Sequence, residues 1–134
     1  MKIRVVSSKE EINTLEQNEE VIHLAFRPSN TDIFSLIMKC PKVKVLHIPS
    51  SYKKTISNSS IVFLEMKGIE LVEGDVWGHR KDINEYSEVS LRIYDLIDQY
   101  KKDGLSEDEI VDKMAREEMH MGSDLLRFII KNRK

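Results

Sequence analysis

Val21-Ile22-His23-Leu24 recurs as Val45-Leu46-His47-Ile48 at an offset of 24 residues, and Lys67-Gly68-Ile69-Glu70-Leu71 follows at nearly the same phase. Runs this rich in Val, Ile and Leu read as strands, and the offset matches one strand plus one helix. Four strands are therefore expected, at Ile3 to Val6, Val21 to Phe26, Val43 to Ile48 and Ile69 to Val72. Helical patterns lie between them. Ser7 and Ser8 stand three residues ahead of Glu10 and Glu11, the spacing of a capping box opening a helix through Leu15. Ser29-Asn30-Thr31-Asp32 opens Ile33 to Met38 in the same way, and the serines from Ser57 to Ser60 open Ile61 to Met66, which Gly68 stops. The order β-α-β-α-β-α-β predicts an α/β fold built on a small, mostly parallel four-stranded sheet.

The segment Val43 to Ser51 resembles the L-x-x-L-x-L-x-x-N core of a leucine-rich repeat without its asparagine, and Met66 to Gly74 resembles a degraded copy. Two units fall short of the roughly three such arrays need, so the resemblance implies a layout only, leucine-rich-repeat-like or Rossmann-like. In that layout alternation turns Ile3, Val5, Ile22, Leu24, Leu46, Ile48, Ile69 and Leu71 towards the intervening helices. Arg4, His23, His47 and Glu70 then form a polar row across the opposite face. The row is either a ligand surface or, on the plainer reading, an internally satisfied ladder beneath the C-terminal helices.

The chain changes style near Ile83. All three prolines precede it, and after it Tyr86, Val89, Ile93, Leu96 and Tyr100 mark the apolar stripe of one long helix. Asp82 and Asn84 suit its start and Gly104 its end. Ser106-Glu107-Asp108-Glu109 is a capping box for a second helix with Ile110, Val111 and Met114 inward, and Gly122-Ser123-Asp124 leads into a third, Leu125 to Lys131. The expected organisation is a β-α repeat unit over 1–83 and a three-helix segment over 84–134, packed as one compact domain. Gly104 to Ile110 resembles the opening of many helix-turn-helix domains, and Arg127, Lys131, Arg133 and Lys134 lie on or after the last helix.

Charge argues against nucleic acid as the partner. The 134 residues hold 21 Lys plus Arg and 23 Asp plus Glu, a net charge of −2. Divided at Ile83, the first part carries +1 and the helical part −3, the reverse of the basic footprint that phosphate contact needs. A single cysteine, Cys40, excludes an internal disulfide framework and fits a reducing cytoplasm. The early charges and the lack of a long apolar run give no expectation of export or of a membrane partner. Cys40 sits at a helix end, where the dipole disfavours the thiolate, and Met119-His120-Met121 has no partner ligands, so neither a nucleophile nor a metal or other cofactor is expected.

In a parallel sheet, ligands gather beyond the carboxyl ends of the strands, where loops lead into helix N-termini. Those loops carry Arg27, Ser29, Asn30, Ser50, Ser51, Tyr52, Lys53, Asp75, Trp77, His79 and Arg80, hydroxyls and cations suited to a phosphate or carboxylate. Serine and asparagine are also ordinary caps, and Trp77 also suits a joint between the two parts. The strings Val21 to Asn30, Leu46 to Tyr52 and Glu73 to Tyr86 resemble those of a family of small proteins from methanogenic archaea, domain of unknown function 1699. The resemblance implies an archaeal, cytoplasmic origin and no assigned activity. The leading expectation is a non-catalytic binding module for an anionic small molecule or protein partner, with a homodimer left open. The alternatives are an enzyme acting on a phosphorylated or carboxylated metabolite with His79 as acid or base, and a helix-turn-helix regulator of DNA.

Overall fold

The computed structural model describes residues 2–74, 86–89, 91–117 and 122–132. Four strands, β1 (Lys2–Val6), β2 (Val21–Leu24), β3 (Val45–Ile48) and β4 (Glu70–Glu73), are parallel and adjacent in sequence order. A fifth, β5 (Tyr86–Glu88), runs antiparallel along the outer side of β1, giving the order β4-β3-β2-β1-β5. The α/β fold with a parallel four-stranded unit and three C-terminal helices is as expected. Because the parallel strands follow in sequence without reversal, the layout is leucine-rich-repeat-like, and they have no topological switch point of the Rossmann kind.

Both faces of the sheet are covered. A 3-10 helix (Lys9–Thr14), α1 (Asn30–Lys39), a short α2 (Ser50–Lys53) and α3 (Asn58–Met66) fall between the parallel strands. Ile22, Leu24, Leu46 and Ile48 face the cluster formed with Ile12, Ile33, Leu36 and Leu64. The other face, with Ile3, Val21, Val45 and Val72, meets Ile93, Ile97, Met114, Leu126 and Ile130 of α4 (Leu91–Lys102), α5 (Glu107–Glu117) and α6 (Ser123–Asn132). A sheet buried on both sides explains why β2 and β3 read as continuous apolar runs.

The caps are local and form as their spacing predicts. Ser29 and Asp32 make a reciprocal capping box on α1, Ser57 caps α3, and Ser106 and Glu109 exchange hydrogen bonds at α5. Gly68, at φ +72°, follows α3 in the left-handed conformation that ends helices. At the first helix the expected box is not seen. Glu11 accepts from the Ser7 amide, while Ser8 makes no side-chain cap and the turn stays 3-10.

Two expectations are corrected. Tyr86 belongs to β5 rather than to the long helix, which begins at Leu91, because pairing with β1 places Tyr86 opposite Arg4. The phase of β1 is also shifted by one residue. Arg4 aligns with Ile22, and Val5 with His23, so Arg4 points to the α1 face and leaves the polar row. Glu70 aligns with Val45, and Val72 takes the place beside His47. The row across the sheet is therefore Val5, His23, His47 and Val72.

Arg4 turns that way because its partners are there. Its Nη2 donates to Thr14 Oγ1 at 3.1 Å, its Nε lies 3.9 Å from Glu19 Oε2, and its guanidinium sits 5.4 Å from the Tyr86 ring centre. The Tyr86 hydroxyl is 3.0 Å from each Glu19 carboxylate oxygen, so burial and then this bond push it above the usual phenol range. Arg4 and Glu19 are both buried, and breaking such a pair costs more than replacing it. Arg4→Met alone is expected to lose about 3–5 kcal/mol of unfolding free energy in urea titrations, and Arg4→Met with Glu19→Leu to recover most of that loss.

Cys40 closes α1 in the same core, with its thiol 3.3 Å from the Glu16 carbonyl. Burial first, and Glu19 second, push its pKa from 9.0 up to about 11. A raised acid favours the folded state at low pH. Its contribution is complete below pH 9.0 and is lost as pH rises through about 11. Alkaline unfolding over that window is expected to be shallower in Cys40→Ala than in the parent, and the native thiol to resist iodoacetamide at neutral pH.

Candidate functional site

The carboxyl ends of β2 and β3 bring three of the candidate residues together. Arg27, exposed beyond β2, lies 5.7 Å from the ring centre of Tyr52, which is on α2 beyond β3 and packs against the α1-side core. A cation over an aromatic face is held without being neutralised. Among the described residues Arg27 has no carboxylate partner. Lys53, next to Tyr52, reaches to 3.9 Å from Glu73 Oε2 and ties this loop to the end of β4 by a weak surface pair.

Ser29 and Asn30 serve the fold. Ser29 Oγ accepts from the Asp32 amide at 3.1 Å, and its own amide donates to Asp32 Oδ2 at 2.9 Å. Asn30 Oδ1 accepts from the hydroxyls of Ser57 at 2.7 Å and Ser60 at 2.6 Å, which joins the start of α1 to the start of α3. Ser50 and Ser51 are exposed on the short α2. Asp75, Trp77, His79 and Arg80 lie outside the described residues, as do Asp82, Asn84 and Met119-His120-Met121.

Just below these loops the two repeat histidines meet. His23 Nδ1 and His47 Nδ1 are 2.8 Å apart, and each residue is 1% exposed. One Nδ1 must carry the proton and the other must accept it, so the rings take opposite roles and both cannot be doubly protonated in this arrangement. His47 Nε2 faces Gly74, where a Cβ would stand 2.5 Å away. On the far side of Gly74, a Cβ on Gly122 would lie 3.3 Å from the Glu73 carbonyl oxygen, and Asp124 Oδ2 accepts from the Glu73 amide at 3.2 Å. The end of β4 is thus gripped between an imidazole and the start of α6. Sequence reasoning placed Gly74 at the end of a degraded repeat copy and Gly122 ahead of the last helix, and had no signal for this close approach.

A second polar centre was also missed. Lys2, Glu16, Asn18, Glu19, Glu20, Val21 and Tyr86 line a cavity of about 460 Å³ at the opposite, amino end of the strands. Glu19 and Tyr86, joined by their hydrogen bonds, form part of its wall. Its only sequence signal was the pair of acids directly before Val21, which looks like an ordinary solvated turn.

In the helical layer, Arg127 of α6 donates to Asp108 at 2.6 Å and to Glu107 at 3.3 Å, both in the first turn of α5. Lys101 of α4 donates to the Ile130 carbonyl at 2.7 Å. These bonds tie α6 to α5 and α4 while its apolar residues lie on the sheet.

Residues 2–85 match a family described as "Family of unknown function (DUF1699) N-terminal domain", and residues 92–131 match "Protein of unknown function (DUF1699) C-terminal HTH domain". The chain belongs to the DUF1699 family. No curated protein and no solved structure matches it. The helix-turn-helix description of the DUF1699 C-terminal domain reopens nucleic-acid binding, which the charge balance argued against. Among the described residues no helix is long and apolar enough to cross a membrane.

In this DUF1699 chain, Gly74→Ala is expected to cost about 1–3 kcal/mol by overpacking against His47. Made in a His47→Ala background it should cost less, with a coupling of about 0.5–3 kcal/mol in a double-mutant cycle of urea unfolding. Additive losses would mean that the imidazole is not what requires the glycine.

Proposed function

We propose that the chain is a non-catalytic binding module that takes a phosphate or carboxylate group, on a small molecule or an acidic protein segment, at the loops closing β2 and β3. The observation that supports this reading best is Arg27, a guanidinium stacked on Tyr52 with no carboxylate partner among the described residues. Arg presents a planar fork of donors that matches an oxyanion, and a stacked Arg loses less freedom on binding. Lys53, Ser50 and Ser51 supply further donors on the adjoining α2. The three C-terminal helices serve as the layer that covers the sheet. The enzymatic alternative rests on His79 alone, and its discriminating readout is turnover of the bound anion.

A second reading follows from the helix-turn-helix description of residues 92–131. A recognition helix reads DNA with an exposed, usually basic face. Residues 92–131 carry 7 Lys plus Arg against 10 Asp plus Glu, and Arg127 on α6 is already engaged by Asp108 and Glu107. These features favour the anion-binding reading over DNA.

Inorganic phosphate, pyrophosphate and citrate are the probes. A ligand at about 100 times its dissociation constant adds about 2.7 kcal/mol, so at least one probe is expected to raise the melting temperature by several degrees, and Arg27→Ala to abolish the rise. No shift with any probe, or a shift that Arg27→Ala leaves intact, would remove the reading. In a mobility-shift assay at low salt no DNA binding is expected. Binding that weakens with salt and with Lys131→Ala would put the regulator in its place.

A further inference from the structure

His23 and His47 take no part in the anion site, yet the fold buries both imidazoles in the middle of the sheet. Their ring centres lie 4.8 Å apart with planes inclined at 48°, and the two Nδ1 atoms are 2.8 Å apart. They stand on the same face as Val21, Val45 and Val72, so they look towards the α4, α5 and α6 layer and away from α1 and α3. Their strand neighbours in that row, Val5 and Val72, are apolar. At the edge of the pair His47 Nε2 faces Gly74, and Asp124 at the start of α6 binds the Glu73 amide. The charged residues described on α4 and α5 are exposed, apart from Lys101, which donates to the Ile130 carbonyl, and Glu107, which binds Arg127 of α6. Tyr100 in the buried cluster and Tyr94 packed against it contribute phenols. On the sheet Glu70 is exposed and Glu73 half-buried, and beyond the strand ends Arg27 and Lys53 are held by Tyr52 and Glu73.

From this geometry we infer that the histidine pair is a proton-operated latch, which holds the α4 to α6 layer on the sheet at neutral pH and loosens it in mild acid. The reason is a count of protons. One hydrogen lies between the two Nδ1 atoms, so the folded pair binds at most one proton beyond its neutral state, on the outer nitrogen of the donor ring. A second would have to enter between the rings, where it sets two N–H groups and two positive charges face to face at 2.8 Å. In the unfolded chain both imidazoles take up a proton at about pH 6.5. The unfolded state therefore binds more protons in acid, and by linkage this part of the stability is present above about pH 6.5 and lost below it. Relief has a preferred direction. Backbone hydrogen bonds tie the strands to one another, and α1 and α3 lie behind the sheet, whereas α4 to α6 rest on the imidazole face through apolar contacts and the Asp124 bond. The helical layer is the part that gives way.

Urea unfolding of the full chain across this range tests the inference against a double variant, His23→Leu with His47→Leu, which removes both imidazoles and leaves the face apolar. The carboxylates, His79 and His120 are common to both chains, so their titration cancels in the comparison. Between about pH 6.5 and about pH 5 the folded-to-unfolded ratio of the parent is expected to fall about tenfold more than that of the double variant. Hydrogen exchange, corrected for the intrinsic effect of pH, locates the loosening: α4 and α6 should lose protection at about pH 5.5 while α1 and α3 keep theirs. If the double variant does not fold, nitrogen NMR of the parent's imidazoles decides the matter. One Nδ1 is expected to stay a donor and the other an acceptor for as long as the α6 amides keep their neutral-pH shifts. Protonation of the acceptor should come only as those shifts are lost. Parallel pH profiles in the parent and the double variant overturn the inference, and so does protection lost first, or equally, in α1 and α3. Two fully protonated imidazoles beside an unmoved α6 overturn it as well.

Discussion

The pairing of β2 with β3 sets His23 beside His47 in the middle of a sheet that is buried on both faces. Because helices cover each side, the central strands have no solvent to which a polar side chain can turn. Two imidazoles in that position meet through their Nδ1 atoms at 2.8 Å, a contact that this register brings about. A slip of one residue between the two strands would send one of the histidines into the opposite apolar layer and break the pair. The contact therefore fixes which residues face α1 and α3, which face α4 to α6, and where the strands end beneath the loops that carry Arg27 and Tyr52.

Much of this architecture is legible along the chain because its causes are local. Capping boxes at Ser29 and Ser106 span three residues and need no distant partner. The 24-residue repeat of V-[IL]-H-[LI] identifies two strands and puts both histidines at the same level. The buried Ile110, Val111 and Met114 follow from helical period alone. The reading fails where a distant partner decides. Arg4 sits in a strand whose alternation fits either face, and it turns towards Thr14, Glu19 and Tyr86, the last of them contributed from far along the chain. Tyr86 fits the helical stripe by spacing, yet the free edge of β1 recruits it as an antiparallel strand, since an unpaired edge leaves backbone donors and acceptors unmet.

The candidate site divides along the same line. Residue types that suit an anion were visible at the strand ends, but so was their structural alternative, and only the fold separates the two. Ser29 and Asn30 are committed to joining α1 and α3, whereas Arg27 is propped on Tyr52 with its charge available. The helical layer shows a related economy. Arg127 binds the acidic first turn of α5, so a basic residue of the segment matched by the helix-turn-helix family model is used to hold that segment together.

By itself the sequence determined the element types, their order, the parallel sense of four strands and the acidic character of the helical segment. Each depends on contacts within a turn or on composition, and needs no knowledge of what lies across the sheet. Tertiary structure alone decided the phase of β1, the fifth strand, the grip of His47 on Gly74 and the exposure of Met38 and Met66. These arise from neighbours tens of residues apart, where register, close backbone approach and leftover apolar surface are set by how whole layers meet.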